Sequence, residues 1–137
     1  MMSVKIPAKF PSTITFLLIE DMENLRVQMK SDLKQLGHTG IILEAECIAD
    51  AIQTIQHEEI DFIICDWNLP DGTGFDLLKK FRKIPAYAHI PYVMCTTMDE
   101  ISNILNAIQE GANDYIVKPW KIDELNKKII SVWSNKK

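Results

Sequence analysis

Cysteine is scarce in this chain of 137 residues, and Cys47, Cys65 and Cys95 form no CxxC pair. This spacing argues against a zinc site and against a disulfide framework. Cys65 and Cys95 lie inside apolar runs, where a buried, reduced thiol is the ordinary state. We therefore expect no metal and no disulfide at these cysteines, and we expect a cytoplasmic protein.

Long runs of one chemical character are also missing. The sequence has no Lys/Arg-rich run and a formal net charge of -4, so it offers no electrostatic reason to expect direct nucleic-acid binding. No apolar stretch approaches the roughly 20 residues of a membrane span. The first residues lack the long apolar segment and the small-residue cleavage site of a signal peptide. These absences exclude a membrane-spanning chain and disfavour a nucleic-acid-binding one.

The length and the hydrophobic content of 47% predict a single domain that is large enough to form a hydrophobic core. Pro7 and Pro11 predict an irregular lead-in over residues 1–12, followed by the domain over residues 13–137. Histidine is rare, and the scattered His38, His57 and His89 are interpreted as surface residues.

Strand and helix patterns alternate five times along the domain. Apolar, β-branched runs predict strands at 13–19, 41–45, 61–65, 91–95 and 113–117. Helical spacing predicts helices at 22–36, 48–58 and 74–83, one marked by Ile101, Ile104, Leu105 and Ile108, and one marked by Ile122, Leu125, Ile129 and Trp133. Such alternation predicts an α/β fold, namely a doubly wound, flavodoxin-like parallel sheet of five strands in the order 2-1-3-4-5 with five helices. The strands are almost entirely apolar, as expected when both faces of a sheet are covered.

Polar side chains follow four of the predicted strands. They are Glu20 and Asp21 after the first strand, Asp66 after the third, Thr96 and Thr97 after the fourth, and Lys118, which precedes Pro119, after the fifth. In open α/β sheets, ligands bind beyond the carboxyl ends of the strands where the strand order reverses, and strands one and three are neighbours there. We therefore predict three carboxylates in one pocket, beside a hydroxyl and an ammonium group.

Crowded carboxylates repel one another and require a cation. Hard oxygen ligands in this number favour Mg²⁺, which binds through one or two carboxylates together with phosphate oxygens. An aspartate in such a pocket can act as a nucleophile toward phosphorus, while the metal and a lysine spread the charge of the transferring group. The pattern thus predicts an aspartate that accepts a phosphoryl group.

Four segments resemble, in order, the motifs of the response-regulator receiver domain, the CheY-like family of two-component signalling. "LLIED" resembles the acidic pair of that family, "ICDWNLPDGTG" its phospho-acceptor loop, "VMCTT" its switch-threonine strand and "GANDYIVKPW" its Lys-Pro ending. The resemblance extends from Thr13 to Trp133. It implies a phosphoprotein that takes its phosphoryl group from a sensor histidine kinase or a phosphotransfer protein and is not itself a conventional enzyme.

The resemblance implies a phospho-acceptor and a metal site. Asp66 is the expected acceptor. Mg²⁺ is expected at Asp21, at Asp66 and at the backbone carbonyl of Asn68, with Glu20 acting through a metal-bound water. Glu20 replaces the more usual first aspartate of the family and is longer by one methylene group.

The resemblance also implies a switch. Thr96 is the expected switch hydroxyl, Lys118 the phosphate-contacting cation and Tyr115 an aromatic side chain that changes rotamer. The Lys118–Pro119 peptide bond is expected to be cis, a geometry that is inexpensive only before proline.

Two neighbouring positions are expected to modulate the lifetime of the phosphoryl group. Thr97 is bulkier than the small residue that often stands there, and Met98 replaces residues that are often polar. We hypothesise that self-dephosphorylation is slow.

A downstream target protein is expected on the face formed by helix four, strand five and helix five. In this sequence the face includes Asp99, Glu100, Asn103, Tyr115 and Lys121. The protein is expected to be a monomer or a phosphorylation-dependent dimer.

Two forms of the receiver function remain open. One is a stand-alone regulator of the chemotaxis or phosphorelay type. The other is the receiver part of a longer regulator with a DNA-binding or enzymatic output domain.

Two other protein classes fit less well. A haloacid-dehalogenase-type phosphatase also uses an aspartate nucleophile, but it requires a second aspartate where Asn68 stands. A flavodoxin-like flavin binder would need a Ser/Thr-rich loop after the first strand, where "EDMEN" is acidic.

Overall fold

A five-stranded parallel sheet forms the centre of the computed structural model, which describes residues 9–136. Its strands are β1 (Phe16–Ile19), β2 (Ile42–Ala45), β3 (Phe62–Asp66), β4 (Tyr92–Thr96) and β5 (Asp114–Val117). They are ordered β2-β1-β3-β4-β5, and every neighbouring pair is parallel. This order confirms the predicted doubly wound fold. Of the predicted lead-in, residues 1–8 lie outside the described part of the chain.

Five α-helices connect the strands: α1 (Glu23–Gln35), α2 (Ile48–His57), α3 (Gly74–Lys83), α4 (Ile104–Gln109) and α5 (Ile122–Ser134). A 3-10 helix, Met98–Asn103, precedes α4. Helices α1 and α5 pack on one face of the sheet, and α2, α3 and α4 pack on the other. With both faces covered, the residues of β1, β3 and β4 are buried throughout, which explains why their sequences do not alternate between apolar and polar residues. No helix within residues 9–136 is long and apolar enough to span a membrane.

The fourth helix was predicted, but two of the four apolar residues that mark it, Leu105 and Ile108, are not buried. Leu105 is 74% exposed and Ile108 is 40% exposed, whereas Ile104 and Ala107 face the sheet. The α-helix has only six residues, so it presents little more than one turn to the sheet, and Ile104 and Ala107, spaced i and i+3, are its buried residues.

His38 was expected at the surface, and this expectation was wrong. Its side chain is buried, its Nε2 lies 2.7 Å from the carbonyl oxygen of Ile14, and its ring packs edge-on against Phe16. The imidazole fills the end of the core beside β1, a position that the sequence around His38 does not indicate.

The segment between β3 and α3 is held by two helix caps. The carboxylate of Asp71 accepts hydrogen bonds from the backbone N–H groups of Ile48 and Ala49 at 2.8 and 3.0 Å, so it caps α2 from a distant part of the chain. Thr73 caps α3 by accepting from the N–H of Asp76 at 3.0 Å. Each cap satisfies backbone donors that have no partner within the helix. These contacts hold the loop that follows Asp66.

Candidate functional site

Three carboxylates meet at the carboxyl edge of the sheet. Asp66 ends β3, while Glu20 and Asp21 directly follow β1, and the two strands are hydrogen-bonded neighbours with Ile19 opposite Cys65. One carboxylate oxygen from each of the three residues lies within 4.8 Å of the others. Glu20 and Asp66 are buried and Asp21 is exposed, so the group opens to solvent on one side.

Lys118 brings a positive charge into this carboxylate group from the end of β5. Its Nζ lies 2.6 Å from Oε1 of Glu20 and 2.8 Å from Oδ1 of Asp66, and the lysine side chain is only 13% exposed. The backbone N–H of Lys118 donates to the carbonyl oxygen of Thr96 at 2.7 Å, which ties the lysine to the end of β4. The peptide bond between Lys118 and Pro119 is cis.

Burial changes the ionisation of this pair. Loss of hydration raises the pKa of Glu20 to about 7; the nearby charge of Asp66 also raises it, and the hydrogen bond from Lys118 only partly opposes the rise. For Lys118 burial disfavours the charged form, but hydrogen bonds to Asp66 and Glu20 outweigh that effect and raise its pKa above the usual value. Near neutral pH the metal-free site therefore holds a charged lysine and a glutamate that readily takes up a proton.

The metal-free protein is expected to lose stability as the pH rises through 7. A carboxyl whose pKa is raised by folding stabilises the folded state below its ordinary pKa of 4.5, and that stabilisation is lost as the pH rises through about 7. Urea denaturation in the presence of a chelator should show a decrease on the order of 2 kcal/mol between pH 5 and pH 8. The Glu20→Gln variant, which has no titrating group at this position, should show a smaller decrease. Equal decreases in both proteins would contradict the assignment to Glu20.

Thr96 is completely buried at the end of β4, and its hydroxyl donates to the carbonyl oxygen of Thr97 at 3.3 Å. The side chains of Thr97 and Met98 are exposed just beyond it, with Met98 at 65%. The structure thus places the candidate switch hydroxyl inside the protein, and both candidate modulators at the solvent boundary.

Tyr115 lies apart from the carboxylates, in the middle of β5. Its ring packs partly against the core on the α2–α4 side, and Nζ of Lys128 lies 3.8 Å from the ring centroid. The Lys128 ammonium also donates to the carbonyl oxygen of Tyr115 and lies 3.6 Å from Oδ1 of Asp114. A lysine on α5 therefore covers the aromatic side chain.

Arg26 is a further site residue, and the sequence pattern did not predict it. It is buried on α1, and its Nη1 donates to the backbone carbonyl of Glu20 at 2.7 Å. Its other guanidinium nitrogens reach Glu44 and Glu46, each at 3.2 Å. Arg26 thereby holds the backbone at the point where the acidic pair leaves β1. Its partners on and after β2 lie 18 and 20 positions away, so no local pattern could have identified it.

The donor set suits a hard divalent cation. Three carboxylates within 4.8 Å offer oxygen ligands, and Asn68, two residues beyond Asp66, lies at the same edge with an exposed side chain. The nearby thiols are unsuitable ligands, because burial raises the pKa of Cys95 to about 12 and that of Cys65 further still. Oxygen ligands of this kind favour Mg²⁺ over a thiolate-binding metal.

Comparison with known proteins gives one consistent result. The sequence profile described as "Response regulator receiver domain" matches residues 16–130. A chemotaxis protein CheY homolog of Campylobacter jejuni is 34% identical over 117 residues, which are 85% of this chain and 89% of that protein.

Solved structures share the fold. A putative response regulator from Chloroflexus aurantiacus superposes with a TM-score of 0.83 at 27% identity, covering 90% of this chain and all (100%) of the other. The chemotaxis response regulator CheY4 of Vibrio cholerae has a TM-score of 0.79 at 26% identity, covering 88% of this chain and 99% of the other.

Proposed function

The chain belongs to the response regulator receiver domain family, and from this premise we propose that Asp66 accepts a phosphoryl group and that the protein relays the signal by contact with another protein. Members of this family are phospho-accepting signalling modules rather than conventional enzymes. The observation that carries the proposal is the buried Asp66 carboxylate, 2.8 Å from the ammonium group of Lys118 and grouped with Glu20 and Asp21.

The proposed reaction is a displacement at phosphorus. A carboxylate oxygen of Asp66 attacks the phosphorus of a phosphohistidine on a sensor histidine kinase or a phosphotransfer protein. The new P–O bond forms as the P–N bond breaks, and the electron pair of that bond returns to the imidazole nitrogen. Lys118 already lies against the attacking carboxylate, where its charge can stabilise the transferring phosphoryl oxygens.

The residues present fit a bound Mg²⁺. Asp21, Asp66 and the backbone carbonyl of Asn68 would hold it, with Glu20 acting through a bound water. When bound, the ion would neutralise the charge that builds up on the phosphoryl oxygens. Burial of Glu20 and Asp66 lowers the local dielectric and so strengthens this electrostatic effect.

Signal output is proposed as a population shift between two arrangements. On phosphorylation the Thr96 hydroxyl would exchange the Thr97 carbonyl for a phosphoryl oxygen, and Tyr115 would change rotamer. The face formed by α4, β5 and α5 would then bind a downstream target protein. The exposed Leu105 on α4 supports an apolar contact there.

A stand-alone role of the chemotaxis or phosphorelay type is the form that we favour, acting in the cytoplasm as a monomer or a phosphorylation-dependent dimer. The relative from Campylobacter jejuni, whose name states a chemotaxis role, is matched over 89% of its length. The receiver part of a longer regulator is the alternative. The bulk of Thr97 and the apolar side chain of Met98, both at the solvent boundary beside the site, lead us to propose a slowly hydrolysed phosphoryl group.

Incubation with Mg²⁺ and acetyl phosphate tests the acceptor role. Intact-mass measurement should show the addition of one phosphate group to the wild-type protein and none to Asp66→Asn. Asp50→Asn is the matched control, because Asp50 is an exposed aspartate on α2 outside the site. Uptake of phosphate by Asp66→Asn, or no uptake by the wild-type protein, would overturn the proposal.

A further inference from the structure

A hydrogen bond joins the loop after β3 to the 3-10 helix after β4, and the proposed function makes no use of it. The side-chain Nδ2 of Asn68 donates to Oε1 of Glu100 at 2.8 Å, across 32 positions of sequence. Asn68 lies two residues beyond Asp66, and Glu100 lies four residues beyond Thr96. The contact, here called the Asn68–Glu100 bridge, therefore connects the segment that carries the acceptor to the segment that follows the switch hydroxyl.

The backbone of Glu100 shares an acceptor with the switch hydroxyl. The carbonyl oxygen of Thr97 receives the N–H of Glu100 at 3.1 Å and the hydroxyl of Thr96 at 3.3 Å. If the Thr96 hydroxyl reorients, the Thr97 carbonyl loses one of its two hydrogen bonds. The same carbonyl holds the first turn of the 3-10 helix through its bond from the N–H of Glu100. Glu100 is linked to the site twice, through its side chain to Asn68 and through its backbone to Thr97.

Little else holds this segment in place. None of the residues Met98–Asn103 is buried, and only Ile101 packs partly against the core. A short 3-10 helix has poor hydrogen-bond geometry, and segments with few buried contacts open at low free energy. One added hydrogen bond is therefore a large fraction of what stabilises the segment in this arrangement.

We propose that Glu100 is a positioning residue of the phosphorylation site. In the unphosphorylated protein its carboxylate holds Asn68 and the 3-10 helix together through the Asn68–Glu100 bridge. A phosphoryl group on Asp66 releases the bridge, because its added negative charge repels the Glu100 carboxylate while the Thr96 hydroxyl leaves the shared carbonyl. The release step rests on the proposed function, whereas the bridge itself does not.

Three variants separate the hydrogen bond from the charge. Glu100→Ala removes both, and Glu100→Gln keeps a side-chain oxygen that can accept from Asn68 but carries no charge. Asp99→Ala is the control, because Asp99 has the same charge in the same turn and its side chain makes no hydrogen bond or ion pair to any residue among 9–136.

Amide hydrogen exchange of residues 101–104, followed by NMR on the unphosphorylated protein, is the first measurement. Exchange in Glu100→Ala should be faster by about two- to tenfold, the equivalent of one exposed hydrogen bond, and the Asn68 side-chain amide resonances should move. Glu100→Gln and Asp99→Ala should resemble the wild type. If Glu100→Ala exchanges no faster than Asp99→Ala, the Asn68–Glu100 bridge does not hold the segment and the inference fails.

The release step is measured after saturation with acetyl phosphate and Mg²⁺. Exchange in the phosphorylated wild type should rise to the level of unphosphorylated Glu100→Ala, and it should rise less in Glu100→Gln, which lacks the repelled charge. An unchanged exchange rate in phosphorylated wild type would overturn the release step. Failure of Asp66 to take up phosphate would instead overturn the proposed function, and the comparison of unphosphorylated variants would still test the bridge.

Discussion

Replacing Lys118 with methionine is expected to destabilise the metal-free protein by roughly 2–3 kcal/mol at pH 8. The ammonium group lies 2.6 Å from Glu20 and 2.8 Å from Asp66, and all three side chains are at most 13% exposed. Removing one partner of a buried ion pair leaves the remaining charges without compensation. At pH 5 Glu20 is protonated, so only the pair with Asp66 is lost, and the destabilisation should be about half as large.

Urea denaturation in a chelator at the two pH values measures this difference. Lys30→Met is the control. Nζ of Lys30 lies 3.1 Å from Oε2 of Glu44, and the lysine side chain is 33% exposed. Surface ion pairs of this kind contribute about 1 kcal/mol or less to the free energy of unfolding. The rate of phosphorylation by acetyl phosphate should also fall, by about 100-fold or more, through loss of a charge aimed at the transferring group. A Lys118→Met protein as stable as Lys30→Met would show that the lysine is not needed to compensate the carboxylates.

The framework of the fold was predictable because the three central strands of the sheet are completely buried. The apolar runs that became β1, β3 and β4 are buried on both faces, so periodicity and turn residues sufficed to locate them to within a few residues. Helix α3 begins and ends at the predicted residues, Gly74 and Lys83. Thr73 supplies its cap, and the preceding Pro and Gly mark the turn, so each signal for this helix is local.

The orientation of α4 was not predictable in the same way. Leu105 and Ile108 continue an apolar helical pattern, yet both are exposed. A sequence pattern shows that a residue is apolar, but it does not show whether the sheet has room for it. His38 shows the opposite case, a polar residue that is buried although its sequence predicts exposure. Its Nε2 reaches the carbonyl oxygen of Ile14.

The residues of the candidate site also fall into a predictable group and an unpredictable one. Glu20, Asp21, Asp66 and Lys118 were found because the topology of a parallel sheet brings the ends of its strands to one edge. Arg26 was not found, because its role depends on carboxylates 18 and 20 positions away. The Asn68–Glu100 bridge depends likewise on side-chain directions that no spacing rule supplies.

Gly74→Ala is expected to destabilise the protein by about 3 kcal/mol or more, because the backbone at this position has no room for a Cβ atom. That atom would lie 2.9 Å from Sγ of Cys65 and far inside contact distance of the backbone carbonyl of Asp66. Two hydrogen bonds hold the glycine in place. Its N–H donates to the backbone carbonyl oxygen of Trp67 at 2.7 Å, and its own carbonyl oxygen accepts from the hydroxyl of Tyr92 at 2.8 Å. The steric clash can therefore be relieved only if the end of β3, which carries Asp66, moves.

Gly37→Ala is the matched control for this overcrowding. Gly37 has φ of 109° and no atom within 4 Å of an added Cβ, so only its backbone conformation is penalised, by about 1–2 kcal/mol. Urea denaturation should rank Gly74→Ala well below Gly37→Ala in stability, and Mg²⁺ titration should show weaker binding only in Gly74→Ala, because the displaced carbonyl belongs to Asp66. Equal stabilities together with equal Mg²⁺ affinities would contradict this prediction, because they would mean that the end of β3 can move without cost. Such movement is not expected of a strand that is buried on both faces and paired with two neighbours.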